Sequence, residues 1–240
     1  MVETTLDGIR DIRVYQNKQG YRFSVDAVLL CSFANMRYAR NIADLGAGSG
    51  IIGLLLARKY PKAAVTLVEL QESLYRLAVR NIKLNELSER VHAALSDIKH
   101  LKETASYMTY DLVVSNPPFR KPTTGRLSLG QERAIARHEL ALKFSDLADA
   151  ASHLLKSKGR FFMIYHPERL LEVFDSLRQS RLEPKRIRFV HNDINAESKI
   201  VLIEAVRDGK PGVKIENPLY IYREDGSYTS EVSDMYGDGR

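Results

Sequence analysis

Two short motifs, one rich in glycine and one rich in proline, restrict the fold of this chain more than any other feature. Each comes directly after a short apolar run. The glycine-rich segment 44–50 follows a run that begins at residue 41, and the tetrapeptide 116–119 follows residues 111–115. Nearly continuous apolar runs of this length are typical of strands that are buried on both faces of a parallel sheet. Polar residues directly after such strands gather at the carboxyl edge of the sheet, where open α/β proteins bind their ligands.

Apolar spacing along the chain alternates between the period of strands and that of helices. The predicted strands are 41–45, 64–68, 91–95, 111–115, 160–165, 187–190 and 199–206, and the predicted helices are 23–33, 50–59, 74–82, one from 144 that stops at Lys158 and Gly159, and 167–179. This alternation predicts an α/β fold with a doubly wound, seven-stranded, mostly parallel sheet. The last two strands have no helix between them, so we expect an antiparallel terminal hairpin. Residues 220–222 are predicted as a further edge strand.

Length and composition indicate an ordinary soluble protein with a sizeable core. The chain has 240 residues, of which 44% are hydrophobic and 28% are charged. We expect an N-terminal extension at 1–40, a catalytic domain at 41–206 and a C-terminal tail at 207–240. Cys31 is the only cysteine, which excludes an internal disulfide and a multi-cysteine zinc site, and we expect no metal. We recognise neither a secretory signal nor a membrane-spanning run, so we expect a cytoplasmic protein that is a monomer or a weak dimer.

The net charge of +6 is concentrated in two basic clusters. The loop cluster comprises Arg120, Lys121, Arg126, Arg133, Arg137 and Lys143, and the C-terminal cluster comprises Arg178, Arg181, Lys185, Arg186 and Arg188. Basic clusters in a basic protein suggest a polyanionic partner, with nucleic acid as the first candidate. On composition alone, solubilising surface charge explains them equally well.

The glycine-rich segment suits a cofactor that contains a nucleoside. Gly46, Gly48 and Gly50 lie between a predicted strand and a predicted helix, where glycine lets the backbone take left-handed conformations and approach a ligand closely. Asp44, near the end of the strand, favours a ligand with a positive centre over a phosphate. S-adenosylmethionine carries a sulfonium and an ammonium group and no phosphate, so we expect it as the cofactor.

Two further carboxylates follow the next two predicted strands. Glu69 can accept hydrogen bonds from both ribose hydroxyl groups of the cofactor. Asp97 can accept one from the adenine amino group, although a helix N-cap explains this residue as well.

The same segment also fits a different class of cofactor. Residues 48–53 match the G-x-G-x-x-G fingerprint of dinucleotide-binding proteins, which would suit a nicotinamide-dependent dehydrogenase or a nucleoside-binding module without catalytic activity. The first glycine of that fingerprint should follow the strand directly, whereas Asp44, Leu45 and Gly46 intervene here. Glu69 does not discriminate, because both cofactors contain a ribose.

Asn116, Pro117, Pro118 and Phe119 form the predicted catalytic motif. Two consecutive prolines cannot continue a central strand, so the segment must leave the sheet at its carboxyl edge. The Asn116 side-chain oxygen and the Pro117 carbonyl can accept both hydrogens of a planar amino group, and Phe119 can stack on the attached ring. These contacts favour methyl transfer to an amino or amide nitrogen, driven by alignment and electrostatics. An ordinary β-turn is the alternative interpretation.

Seven more residues are candidates for contact with the methyl acceptor. They are Phe23 near the N-terminus, Arg120, Lys121, Arg137 and His138 after the catalytic motif, and Lys185 and Arg186 in the C-terminal cluster. Residues 137–139 could form a lid that contacts RNA phosphate. For His138, a position at a solvated helix end is the alternative interpretation. Residues 23–26 fit a lid over the cofactor or a capped core helix.

With these residues in view, the chain resembles the class I S-adenosylmethionine-dependent methyltransferases. It is similar in particular to the bacterial tRNA adenine-N6 methyltransferases that modify the adenosine beside the anticodon of valine tRNA. The resemblance rests on residues 21–30, 44–50, 68–69, 116–119, 136–139 and 182–186. It implies that Asp44, Gly46, Glu69 and Asp97 line the cofactor site, that residues 116–119 hold the target adenine, and that the partner is tRNA.

Two other methyltransferase activities remain open on the residues alone. Enzymes that methylate glutamine in release factors use a similar tetrapeptide, because an amide nitrogen poses the same chemical problem. They resemble this chain less, since they carry a sizeable helical domain before the glycine motif and a tyrosine where this chain has Phe119. Ribosomal RNA guanine-N2 methyltransferases share the tetrapeptide and are the second alternative.

Overall fold

The computed structural model describes residues 4–18, 25–117 and 142–237. Its strands are β1 (Thr4–Ile9), β2 (Ile12–Asn17), β3 (Asn41–Leu45), β4 (Ala64–Glu69), β5 (Val91–Leu95), β6 (Tyr110–Ser115), β7 (Leu155–Tyr165), β8 (Leu182–His191), β9 (Ser198–Arg207), β10 (Lys214–Ile215) and β11 (Leu219–Tyr220). Its α-helices are α1 (Val25–Phe33), α2 (Ile51–Lys59), α3 (Glu72–Leu84), α4 (Leu101–Thr104), α5 (Phe144–Leu154), α6 (Leu170–Gln179) and α7 (Ser230–Tyr236). Short 3-10 turns at Ile98–His100 and Pro167–Arg169 precede α4 and α6.

The central sheet has the predicted mostly parallel architecture. Its strand order is β10-β8-β9-β7-β6-β3-β4-β5, and β11 also pairs with β8. Strands β3 to β7 are parallel neighbours, whereas β9 is antiparallel to both β7 and β8. The prediction of seven main strands with an antiparallel terminal hairpin is therefore confirmed. The two-residue strands β10 and β11 add to the β8 edge, and β11 partly overlaps the edge strand predicted at 220–222.

Helices cover both faces of this sheet, which explains why its strands are continuously apolar. On one face, Leu112, Val114 and Phe162 pack in the core that includes α1, α2, α3 and α7. On the other face, Val113 and Phe161 pack with α4, α5 and α6. Successive residues of a strand point to opposite faces, so adjacent apolar residues are needed when both faces are buried.

The N-terminal segment forms a hairpin that sequence reasoning missed. Strands β1 and β2 pair antiparallel in a separate two-stranded sheet. Ile12 and Val14 of β2 are fully buried, and they join the same core as α1 and α7. The single cysteine, Cys31, is buried in that core as well, in agreement with the prediction. Segments 1–40 and 207–240 thus share a core with the central sheet, and the division into three regions stays a prediction.

Some element boundaries were predicted wrongly. The helix α5 ends at Leu154 instead of continuing to Lys158, and β7 begins at once with Leu155. Lys158 adopts a φ of 64°, and a side chain at Gly159 would lie 2.8 Å from the Lys156 carbonyl, so the chain bends tightly inside the strand. The helix predicted at 167–179 is a 3-10 turn followed by α6. Among the described residues, no helix is both long and apolar enough to cross a membrane.

Candidate active site

The glycine-rich segment forms a tight loop between β3 and α2. Gly46, Gly48 and Gly50 have φ values of 73°, 58° and 89°, in the left-handed region that favours glycine. Among the described residues, no atom lies within 4 Å of a Cβ placed at Gly46 or Gly48, so side chains there would project away from this part of the protein. That side of the loop is where a ligand can approach the backbone closely. We call residues 46–50 the cofactor loop.

Hydrogen bonds hold the cofactor loop from several sides. The amide groups of Gly46 and Ala47 both donate to the Val68 carbonyl, at 2.9 and 3.0 Å. The Gly50 amide donates to the Ala47 carbonyl at 2.9 Å, which closes the turn. The loop is therefore fixed by the chain itself before any ligand is considered, and a preorganised loop needs little ordering when it binds.

Asp44 lies beneath the loop and is completely buried. Its Oδ2 atom accepts a hydrogen bond from the Gly53 amide at 2.9 Å, while its Oδ1 atom has no hydrogen-bond partner among the described residues. A side chain at Gly53 would come within 2.1 Å of Leu67 Cδ2, so glycine is what allows α2 to approach β3 and β4 this closely. Burial raises the pKa of Asp44 to about 7, the Gly53 hydrogen bond opposes this effect, and nearby Glu69 adds to it.

Glu69 ends β4 and is 6% exposed. One carboxylate oxygen accepts from the Gly48 amide at 2.8 Å, and the other accepts from the Gln71 amide at 2.8 Å. Each oxygen of a carboxylate can accept more than one hydrogen bond, so Glu69 can still bind ligand hydroxyl groups while it supports the loop.

Asp97 follows β5 at the same edge of the sheet. Its Oδ1 atom accepts from the Lys99 amide at 2.9 Å and caps the short 3-10 helix at Ile98–His100. The capping role that competed with cofactor binding is therefore present in the structure. It occupies one of the two carboxylate oxygens, and the contact to a cofactor stays a prediction.

Asn116 leaves the sheet beside the cofactor loop. The register pairs Asp44 with Val114, so Leu45 and Ser115 end neighbouring parallel strands. The Ser115 hydroxyl donates to the Leu45 carbonyl at 2.7 Å and ties the two strand ends together. The next residues, Gly46 and Asn116, then leave adjacent strands whose usual spacing is about 5 Å. Asn116 is half-buried and Pro117 is buried.

Several predicted site residues lie outside the described part of the chain. They are Phe23, Pro118, Phe119, Arg120, Lys121, Arg137 and His138. Their proposed roles remain predictions.

Lys185 and Arg186 lie in the first half of β8, away from its carboxyl end. Lys185 donates to the carbonyls of Lys210 and Gly212. Arg186 forms ion pairs with Glu204 and Glu216, donates to the Phe33 carbonyl at 2.7 Å, and places its guanidinium 4.0 Å from the centre of the Phe33 ring. Arg186 is thus engaged with other residues of the chain, and neither residue is brought near Asn116 by the fold.

Comparison with known proteins identifies the family. Residues 23–181 match the family model described as the methyltransferase small domain. The chain belongs to this methyltransferase family. It is a class I S-adenosylmethionine-dependent methyltransferase, and S-adenosylmethionine is its cofactor.

Curated relatives of similar length share about a third of the sequence. The chain is 30% identical to the tRNA1(Val) (adenine(37)-N6)-methyltransferase of Pedobacter heparinus, over 95% of both chains. It is also 30% identical to the protein of the same name from Shewanella sp. (strain MR-7), over 91% of this chain and 92% of that protein.

Solved structures show the same fold at lower identity. A predicted O-methyltransferase from Agrobacterium tumefaciens superposes with a TM-score of 0.72 at 23% identity, covering 89% of this chain and 96% of that one. A 16S ribosomal RNA guanine-N2 methyltransferase from Thermus thermophilus, solved with S-adenosylmethionine and guanosine, gives a TM-score of 0.61 at 18% identity. It covers 86% of this chain and 51% of that one.

The described residues fit this cofactor. The backbone at Gly46 and Gly48 is open to a ligand, and the Oδ1 atom of Asp44, which has no partner among the described residues, can face a cationic ligand. Glu69 offers its carboxylate at the end of the next strand. Asp44 and Glu69 have no ion-pair partner among the described residues, so their charge is left for a ligand to balance.

Sequence reasoning missed two polar residues at this site. Ser115 ties the end of β6 to the end of β3, directly before the cofactor loop, and Asn81 of α3 donates to the Ser49 carbonyl at 2.9 Å. Asn81 is completely buried. An asparagine at a helix position that should be apolar was a signal that could have been noticed, although the sequence does not show what it contacts.

Proposed function

We propose that this enzyme transfers the methyl group of S-adenosylmethionine to the 6-amino nitrogen of an adenine in tRNA. The observation that carries the proposal is that Asn116 and Gly46 leave neighbouring parallel strands side by side. A planar amino group held at Asn116 would therefore lie next to the cofactor loop. The names of the relatives, which match this chain over almost its whole length, supply the RNA and the base.

The chemical difficulty in this reaction lies in the nucleophile. The lone pair of an adenine amino nitrogen is delocalised into the ring. In our proposal the Asn116 side-chain oxygen and the Pro117 carbonyl accept the two N–H hydrogens, which aims the lone pair along the attack direction. Phe119 stacks on the base and holds it in the plane that this geometry needs. Positioning and electrostatic stabilisation of this kind can supply most of the rate enhancement.

The cofactor supplies an electrophilic methyl group bound to a positively charged sulfur. As the nitrogen bonds to the methyl carbon, the bond from that carbon to sulfur would break and leave a neutral thioether. The methylated nitrogen is then acidic and would release one proton to solvent, so the protein does not need a strong base. Its residues instead bind the two reactants at a fixed separation. The hydrogen bond from Ser115 to the Leu45 carbonyl sets that separation, because it fixes the end of β6 against the end of β3.

The acceptor adenine must be accessible, and we propose that it lies in the anticodon loop of a valine tRNA. Unpaired loop bases can be splayed into a pocket at a lower energetic cost than paired ones. Residues of the loop cluster, including Arg120, Lys121 and Arg137, would contact the phosphates, with His138 as a further candidate. Binding should then weaken steeply as salt rises, because each phosphate contact releases counterions.

The experiment that tests the substrate class offers two acceptors in parallel. The enzyme is incubated with methyl-labelled S-adenosylmethionine and either unmodified valine tRNA or a release factor. We expect label in the tRNA and none in the protein. Label in the release factor alone would contradict the RNA assignment and would favour glutamine as the acceptor. An unmodified tRNA that lacks adenosine beside the anticodon is the matched control, and it should remain unlabelled.

A further inference from the structure

Two asparagines face the N-terminal hairpin, Asn81 in α3 and Asn85 at the C-cap directly after it. Asn81 and Asn85 are one helical turn apart, and they are 0% and 5% exposed. Residues at this spacing lie on the same face of a helix. Buried amides are stabilised only when their hydrogen bonds are made, so each needs partners in the hairpin or in the helix.

Both asparagines bind the backbone of β2 in the same way. Asn81 accepts from the Tyr15 amide at 2.7 Å and donates to the Tyr15 carbonyl at 3.0 Å. Asn85 accepts from the Arg13 amide at 2.9 Å and donates to the Arg13 carbonyl at 2.7 Å. The two side chains thus satisfy the outer edge of β2 as a neighbouring strand would. They fix the hairpin against α3 through equivalent pairs of bonds.

The two asparagines differ in the acceptor of their second side-chain amide hydrogen. Asn85 donates it to the Asn81 carbonyl inside the helix, at 2.7 Å. Asn81 donates it to the Ser49 carbonyl in the cofactor loop, at 2.9 Å. The Asn81 side chain therefore contacts both the hairpin and the cofactor loop, whereas the Asn85 side chain bonds to the hairpin and to the helix backbone.

The bond to Ser49 completes the restraint of one peptide unit. Between Ser49 and Gly50, the carbonyl accepts from Asn81 and the amide donates to the Ala47 carbonyl at 2.9 Å. Ser49 lies between Gly48 and Gly50, both at positive φ, and glycine can leave that conformation easily. Without Asn81, only one end of the peptide would be held, and it could rotate within the loop.

We propose that Asn81 is a positioning residue that couples docking of the N-terminal hairpin to the affinity of the cofactor loop for S-adenosylmethionine. The hairpin holds the Asn81 amide in place, and the amide holds the Ser49 carbonyl. Coupling between two sites is reciprocal, so an occupied cofactor site must also stabilise the docked hairpin. This inference rests on the cofactor and is independent of the methyl acceptor, so its failure would leave the proposed tRNA substrate untouched.

The test compares Asn81→Ala with Asn85→Ala. Each variant loses two hydrogen bonds to the hairpin, so both should melt at a lower temperature without ligand. Calorimetry with S-adenosylhomocysteine should show a dissociation constant raised about 5- to 30-fold in Asn81→Ala, which is the range expected for loss of one or two hydrogen bonds. The dissociation constant of Asn85→Ala should stay within about twofold of the wild type, since its hydrogen bonds do not reach the loop. Equal weakening in both variants, or no weakening in Asn81→Ala, would overturn the proposal.

A second pair of variants and a second measurement guard against loss of folding. Asn81→Asp and Asn85→Asp keep the size and the acceptor oxygen, but lose the donated bonds when the new carboxyl is ionised. Hydrogen exchange of residues 4–17 is then followed with and without S-adenosylhomocysteine. The ligand should slow exchange in the wild type and in Asn85→Asp, and should have no such effect in Asn81→Asp. Slowing of the same size in all three proteins would overturn the coupling.

Discussion

Buried carboxylates occur in two regions of the sheet, on β9 and on the neighbouring strands β3 and β4, and their hydrogen-bond and ion-pair partners differ. Glu204 of β9 is 3% exposed, and it forms ion pairs with Arg160 and Arg186. Asp44 of β3 and Glu69 of β4, beside the cofactor loop, are 0% and 6% exposed. Within the described residues, they accept hydrogen bonds from backbone amides and form no ion pair. A buried charge is unfavourable unless it is paired, and a cationic ligand can provide the pair. Glu204 thus has its cationic partners within the chain, and we expect Asp44 and Glu69 to find theirs in the cofactor.

We therefore expect mutations in the two regions to affect different properties of the enzyme. Changes at the β8–β9 hairpin should lower stability and leave cofactor affinity unaltered. Changes at Asp44 or Glu69 should alter cofactor affinity. Changes at Asn116, which belongs to neither group, should affect only turnover.

The largest effect is expected for Asn116→Ala. Loss of one of the two acceptors for the amino group should reduce kcat by at least about 100-fold, comparable to removal of a single polar group that stabilises a transition state. The dissociation constant for S-adenosylhomocysteine should stay near the wild-type value, because the side chain is proposed to bind the methyl acceptor. Single-turnover kinetics and calorimetry on the same preparation measure the two quantities. A large loss of cofactor affinity would show that Asn116 belongs to the cofactor site.

The next largest effect is expected for Glu204→Gln. The change leaves Arg160 and Arg186 without their shared carboxylate, and we expect a loss of about 2–3 kcal/mol in the free energy of unfolding, since Arg160 is partly exposed to water. Chemical denaturation measures this loss. Glu197→Gln, at an exposed position just before β9, is the matched control and should change stability by less than about 0.5 kcal/mol. A raised cofactor dissociation constant in Glu204→Gln would contradict the expectation that this region affects stability alone.

Glu69→Ala should weaken cofactor binding by about 10- to 30-fold, because it removes ligand contacts and the acceptor of the Gly48 amide. Glu72→Ala is a suitable control, since Glu72 is exposed at the start of α3 and pairs only with nearby Arg76 among the described residues. Calorimetry with S-adenosylhomocysteine measures both variants. An unchanged dissociation constant in Glu69→Ala would remove Glu69 from the cofactor site.

The smallest expected effect concerns the pH dependence that Asp44 introduces. The pKa of this carboxyl rises from 3.8 to about 7 on folding, so the unfolded chain loses the proton first and the free protein loses stability as pH rises from about 4 to about 7. A cationic ligand favours the carboxylate, and binding should therefore release a proton. Between about pH 6 and pH 8 the affinity for S-adenosylmethionine should rise by up to about tenfold.

Asp44→Asn is the control for that rise, because the neutral amide keeps an acceptor for the Gly53 amide and does not titrate in this range. Any remaining pH dependence of affinity in the variant belongs to the ligand or to other groups. Identical pH profiles for the two proteins would show that Asp44 does not respond to the cationic cofactor.

The sequence predicted those parts of the fold that depend on local pattern. Residues 44–50 and 111–117 lie where they were expected, because apolar runs, glycines and prolines act on their own segment of chain. The β1–β2 hairpin was missed, since its partners lie far away in sequence: Ile12 and Val14 pack in the main core, and Asn81 and Asn85 bond to the backbone of β2. The hydrogen bond from Ser115 to Leu45 was missed for the same reason.

One further detail was predicted wrongly, and another was left open. Glycine at 159 suggested a helix end, but it lies at a bend inside β7, where Lys156 and Leu155 of the same strand and Tyr110 of β6 leave no room for a side chain. Asp97 was open to two interpretations, and the structure shows the capping hydrogen bond to the Lys99 amide. Neither detail could be settled from the sequence, because each depends on which groups the folded chain brings alongside.

The most direct test of the proposed reaction identifies the atom that receives the methyl group. Valine tRNA methylated by the enzyme is digested to nucleosides and examined by mass spectrometry, with Asn116→Ala assayed alongside. The account predicts N6-methyladenosine with the wild type and almost none with Asn116→Ala, even though that variant still binds S-adenosylhomocysteine. A methylated guanosine as the product, or equal N6-methyladenosine from both proteins, would contradict it.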